Sequence, residues 1–223
     1  MSATPAPPAD RFDELLVAVQ RRLESLYALE PEAPVTDFVL DAEAAKALPG
    51  GGSRTLVSHS GDAVSVGVVF ADEVPERLRS EDPRVRLDRS NLGPFCTLTE
   101  EVSHFLYVLF CARSSRTVTE LELELQGEVD KYLTAAFFLS LQNEGAVSTH
   151  LRRLLFRDYR LATGVSGERA ERYHAASTLA FRYCGFLEEE YLRPRRVPDL
   201  AREARRFYRL GQREKLERIA RIH

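Results

Sequence analysis

Apolar residues recur three and four apart from Phe12 through Leu15, Leu16, Val19, Leu23 and Leu26, the spacing of a single helix face. Asp10 stands where an N-cap belongs and Pro31 lies just beyond the last apolar position, so a first helix is predicted between them. The period then moves toward two. VTDFVL (Val35 to Leu40), RTLVSH (Arg54 to His59) and VSVGVVF (Val64 to Phe70) read as strands, and Ser60, Gly61 and Asp62 supply turn chemistry for a β-hairpin between the last two. Asp41 to Leu48 reads as a short helix stopped by Pro49 and the glycines Gly50 to Gly52. Asp72 to Phe95, rich in Pro, Arg and acidic residues, reads as a connector with one helical turn.

Beyond Thr97 the pattern is helical throughout. Segments are predicted at Thr99 to Arg113, Thr117 to Gln142, Ser148 to Arg160, Ser166 to Tyr191 and Asp199 to Ile222, the last two separated by Pro194 and Pro198. The expected fold class is mainly α: a helical bundle preceded by a small α+β module that contains a β-hairpin. In this reading residues 1–8 are a disordered lead-in, 9–95 the α+β module, 96–192 the bundle, and 193–223 a basic amphipathic C-terminal helix packed on the body.

With 223 residues, 44% hydrophobic and 29% charged, the composition is that of a globular chain and excludes collagen-like, low-complexity and disulfide-scaffold classes. Cys96, Cys111 and Cys184 form an odd, widely spaced set without a CxxC pair, as expected for reduced thiols. The sequence shows neither an apolar run long enough to span a membrane nor a secretory leader, so a cytoplasmic location is expected. The net charge of −3 conceals an asymmetry. From Arg193 to His223 there are 11 Arg or Lys against 4 Asp or Glu, so an acidic body carries a basic tail. Leu200, Ala204 and Phe207 form an apolar stripe there, with Arg202, Arg205, Arg206 and Arg209 lying mostly off it. Such a helix either docks on its own body or meets an acidic protein partner. A nucleic-acid partner is not expected, because no recognised docking motif accompanies the arginines.

Two strings that look chemical have simpler explanations. SHSGD (Ser58 to Asp62) places Ser, His and Asp side by side, whereas a nucleophilic triad converges from separate elements, so it is read as a hairpin turn. PGGGSRT (Pro49 to Thr55) lacks the Lys-Ser or Lys-Thr of a phosphate-binding loop.

The informative stretch runs from Thr99 to Phe138. Its first helix is apolar almost all round, yet contains Glu100, Glu101 and His104, with each Glu three or four residues from the His on a shared face. In the second helix Glu128 continues the apolar stripe of Leu121, Leu125, Tyr132 and Ala136. A connector as short as Ser114 to Arg116 implies an antiparallel helical hairpin that places His104 opposite residue 127 and Glu101 opposite residue 130, bringing Glu128 close to His104. Carboxylates and imidazole in this arrangement suit a divalent Zn, Fe or Mn ion. A second Glu-x-x-His, Glu171 and His174, lies on a later helix, and carboxylate-bridged dimetal bundles combine two such motifs with single glutamates from two further helices. Glu24 is the candidate for the remaining glutamate.

The same residues also resemble the gluzincin metallopeptidase pattern, in which His-Glu-x-x-His is followed by a helical Glu. The resemblance spans about 29 residues, from Glu100 to Glu128, with Glu100 standing where the first zinc-binding His belongs. It implies metal ligands at His104 and Glu128, a substituted ligand at Glu100, and Glu101 as the general base that activates water. The sequence thus supports a metal-dependent hydrolase or di-iron-type oxidoreductase acting on a small molecule or peptide. Two other readings stand beside it: a structural polar cluster built on a His104 and Glu128 pair, and a non-enzymatic interaction module that acts through the basic C-terminal helix.

Overall fold

The computed structural model describes residues 10–31, 33–48, 51–60, 63–148, 150–157 and 167–222. The expected lead-in, the hairpin's Gly61 and Asp62, and the chain from 158 to 166 lie outside them. Helix α1 (Arg11–Tyr27) begins where the Asp10 carboxylate accepts from the Phe12 amide, and it buries the predicted stripe from Phe12 to Leu26. The VTDFVL segment departs from its expected strand. Val35–Phe38 is a turn of 3-10 helix, because Gln20 accepts the Val35 amide and fixes the chain against α1. Only Val39 pairs in sheet fashion, bridging to Val68. Helix α2 (Ala42–Lys46) follows, capped by Asp41.

The hairpin forms as the alternation predicts. Strands β1 (Arg54–Ser60) and β2 (Ala63–Val69) pair antiparallel, with Arg54 opposite Val69 and Ser60 opposite Ala63. The segment read as a connector is more ordered than its composition suggests. It contains helix α3 (Glu73–Ser80), which buries Val74 and Leu78 one turn apart, and it leads directly into helix α4 (Leu92–Arg113), which starts seven residues earlier than expected and crosses position 96 without a break. Helix α5 (Glu120–Gln142), capped by Thr119, returns antiparallel along α4. Helices α6 (Leu151–Phe156) and α7 (Gly167–Leu187) pack on the other side of α5, and a π-helical turn at Glu188–Leu192 ends α7.

The basic tail is two helices, α8 (Val197–Arg209) and α9 (Gln212–Ala220), divided at Gly211. Leu200, Ala204, Phe207, Tyr208 and Ile219 are buried against the body, so the apolar stripe is already covered. Tyr208 stacks on Tyr27 at 4.0 Å. Arg205 and Arg209 donate to the backbone carbonyls of Ser25, Leu26 and Tyr27, placing two cations on the exposed carbonyls at the C-terminus of α1, where the helix dipole favours them. One apolar core, from Phe12 to Ile222, joins helices α1 and α3 to α9 with strand β2. Cys96, Cys111 and Cys184 are free thiols. Among the described residues no helix is long and apolar enough to cross a membrane.

Several buried polar groups interrupt this core, and two clusters of them along α5 bear on the site. On one side Asp130 accepts from Ser103 at 2.5 Å, from Gln126 at 3.0 Å and from Tyr27, while Gln126 in turn accepts from Lys215 of α9 at 2.6 Å. That network is closed by hydrogen bonds. The cluster on the other side is not.

Candidate metal centre

The second cluster lies between α4 and α5 where α4 also meets β1. Glu100, His104 and Glu124 each offer one ligand atom, and the three atoms lie within 4.8 Å of one another. His104 Nε2 is 3.8 Å from Glu124 Oε2, and His104 Nδ1 is 3.8 Å from Glu101 Oε2. These separations exceed a hydrogen bond. Both His104 Nε2 and Glu124 Oε2 are buried without any hydrogen-bond partner. Their side chains retain 8% and 12% exposure, and that of Glu100 19%, so the cluster reaches the surface along its carboxylate edge.

Each position has a local cause. The helical hairpin has the register read from the sequence, and the residue opposite His104 is Gly127. A Cβ built there would stand 2.9 Å from His104 Nε2 and 3.5 Å from Glu100 Cγ, so the missing side chain is what admits the imidazole to the surface of α5. Glycine in a helix interior costs about 1 kcal/mol relative to alanine, a cost this close approach explains. Behind the ring, Thr55 of β1 donates to Glu101 Oε2 at 2.7 Å, fixing the carboxylate that faces Nδ1.

The electrostatics follow from crowding four carboxylates around two cationic groups. Burial alone would lower the His104 pKa, but the adjacent Glu101 and the charges of Glu124 and Glu100 outweigh it and raise the pKa to about 9. Burial pushes Glu124 up to about 7, against the pull of His104. Glu100 is also penalised by burial, yet Lys131 and His104 hold its carboxyl below the usual range. Lys131 lies 2.9 Å from Glu100 Oε2 and 3.0 Å from Glu128 Oε1, and these two partners raise its pKa well above the ordinary lysine value despite burial.

The residues expected at the site are therefore divided. Glu100 and His104 meet, with Glu101 directly behind the imidazole. Glu128 does not join them, because it turns to Lys131 three residues along its own helix; the carboxylate facing His104 is Glu124, one turn earlier. Glu171 and His174 are exposed on α7, outside the cluster, and Glu24 accepts from Gln20 on α1. The arrangement thus differs from the metallopeptidase pattern at Glu128, and Glu101 stands behind the imidazole instead of on the open edge of the cluster. Glu124 is passed over because the register read from the sequence sets it opposite Tyr107, and because Glu120, Glu122, Glu124 and Glu128 also read, with Lys131, as a solvated face. Glycine at position 127, directly opposite the histidine, was the available clue.

Comparison with known proteins found no matching family model, no matching curated protein and no matching solved structure. The functional reading therefore rests on the site itself.

Proposed function

We propose that this helical protein binds one divalent transition-metal ion through Glu100, His104 and Glu124. The observation that carries the reading is the facing pair His104 Nε2 and Glu124 Oε2, both buried, 3.8 Å apart and without a hydrogen-bond partner. A buried polar atom left without a partner costs about 1–3 kcal/mol, and a cation between the two would satisfy both. Tetrahedral ligands at about 2.0–2.1 Å from an ion stand about 3.3 Å apart, so the 3.8 Å gap must close by about half an ångström and the widest separation, within 4.8 Å, by at most about 1.5 Å. One imidazole with two carboxylates suits Zn, Fe or Mn.

Glu101 supports this reading as a positioning carboxylate: it faces Nδ1 and leaves Nε2 toward Glu124, where an entering ion would displace the proton that the raised His104 pKa keeps on Nε2. Such an ion would supply Lewis acidity toward a water or carbonyl oxygen, which keeps hydrolysis as the class of reaction to assay. Among the described residues the ligand atoms that meet come from Glu100, His104 and Glu124, one set of three, which favours a single-ion centre over a dinuclear one.

Metal analysis of the full chain purified without chelator tests the proposal. The wild type should carry one equivalent of Zn, Fe or Mn; His104→Ala and Glu124→Ala should lose it, and Glu128→Ala should keep it. A wild-type protein that holds no stoichiometric metal, and acquires none on dialysis against Zn2+, would overturn it.

A further inference from the structure

Lys131 has no counterpart in a simple ligand set. Its ammonium group sits between Glu100 Oε2 and Glu128 Oε1 at 2.9 and 3.0 Å, largely buried, with both partners drawn from the same acidic cluster. Resting on the metal-binding reading above, we infer that Lys131 determines which ions the site accepts, excluding oxygen-seeking cations such as Ca2+ in favour of ions that bind one imidazole and single carboxylate oxygens.

Two physical effects act in the same direction. The lysine occupies one oxygen of Glu100, so that carboxylate can offer an ion one oxygen but not both, and it holds a Glu128 oxygen on its ammonium instead of among the ligand atoms that meet. Ca2+ takes six to eight oxygen ligands and commonly uses a carboxylate in bidentate fashion, whereas Zn2+ is satisfied by four ligands that include nitrogen. The second effect is charge. Glu100, Glu101, Glu124 and Glu128 together would form an oxygen-rich anionic basin of the kind Ca2+ prefers; the fixed charge of Lys131 neutralises part of it without adding a ligand. What remains for the ion is the nitrogen of His104 with one oxygen each of Glu124 and Glu100, the three atoms that lie within 4.8 Å of one another.

The test measures Zn2+ and Ca2+ affinities of the full chain by competition against a chromophoric chelator, for the wild type, Lys131→Gln and Lys131→Arg. Glutamine retains an amide donor for the two carboxylates but removes the charge, and arginine retains the charge. The ratio of Zn2+ to Ca2+ affinity should fall about tenfold or more in Lys131→Gln, mainly through a gain in Ca2+ binding, and should be kept in Lys131→Arg. A ratio that changes by less than about twofold in Lys131→Gln, or rises, overturns the inference. If Lys131→Gln does not fold, the double variant Lys131→Met with Glu128→Gln removes the pair of charges together, and the same fall is expected because the second oxygen of Glu100 is released. Absence of Zn2+ binding by the wild type is a separate result that overturns the metal reading itself.

Discussion

At the scale of single residues, Gly127 and His104 show how one position can serve the site at the expense of its helix. Replacing Gly127 with alanine should favour α5 intrinsically by about 1 kcal/mol. The new methyl group would stand 2.9 Å from His104 Nε2, and the imidazole, being a side-chain tip, is the partner that can yield. Gly127→Ala is therefore expected to leave the thermal midpoint unchanged or higher while lowering Zn2+ affinity about tenfold or more, read from a melting curve and a chelator competition on the same sample. A variant that loses stability and metal together would assign the glycine to packing alone. This residue also marks where the sequence was legible. The short turn after α4 gave the register, and so the meeting of His104 with position 127, but periodicity does not say which of several acidic side chains on α5 turns toward the imidazole. Glu128 was the natural choice because it continues an apolar stripe. Lys131, three residues further along, claims it instead.

At the level of elements, Thr55 is the hairpin side chain that reaches the centre among the described residues. Thr55 on β1 holds Glu101 on α4, and Glu101 faces His104, so a strand distant in sequence helps to orient the imidazole. Thr55→Val keeps the shape and β-propensity but removes the donor; Zn2+ affinity should fall about tenfold to a hundredfold with little change in the circular dichroism spectrum, and Thr55→Ser should restore it. Equal affinities in all three proteins would show that the hairpin plays no part in the centre. Helix α1, the hairpin and the α4–α5 pair could be read in advance because each carries its own periodic pattern with a cap or turn. The segments that could not be read took their structure from neighbours. Val35 is fixed by Gln20, α3 has only Val74 and Leu78 to announce it among charged residues, and the tail, expected as one basic helix whose apolar stripe changes after Gly211, divides there into two.

At the scale of the whole molecule, an acidic body is closed by a basic tail, and its most buried cation is Lys215. This side chain is fully buried, donates to Gln126 at 2.6 Å and lies over the Tyr107 and Phe207 rings at 4.5 and 4.8 Å. Burial lowers its pKa from 10.5 to about 7, with Glu122 and Asp130 opposing the shift. Between those two values the unfolded chain binds the proton and the folded chain does not, so the contribution of Lys215 to stability rises with pH from about 7 to about 10.5 and is least favourable below 7. His104, raised from 6.5 to about 9, acts in the opposite sense: its stabilising contribution is full below 6.5 and is lost as pH rises through 9. The two overlap, so the informative quantity is the difference between the wild type and Lys215→Met in urea. Lys215→Met should gain on the wild type at pH 6, and its advantage should shrink steadily toward pH 10; a difference independent of pH would show that Lys215 stays charged in the folded protein.

The central claim is the position of the ion. The most direct measurement is an anomalous difference map, at the zinc edge, from crystals of the Zn2+-loaded full chain. One peak is expected about 2.0–2.2 Å from His104 Nε2 and from one oxygen each of Glu100 and Glu124, with Lys131 still on the other oxygen of Glu100. A map with no peak between α4 and α5, or with its peak at Glu171 and His174 on α7, would contradict it.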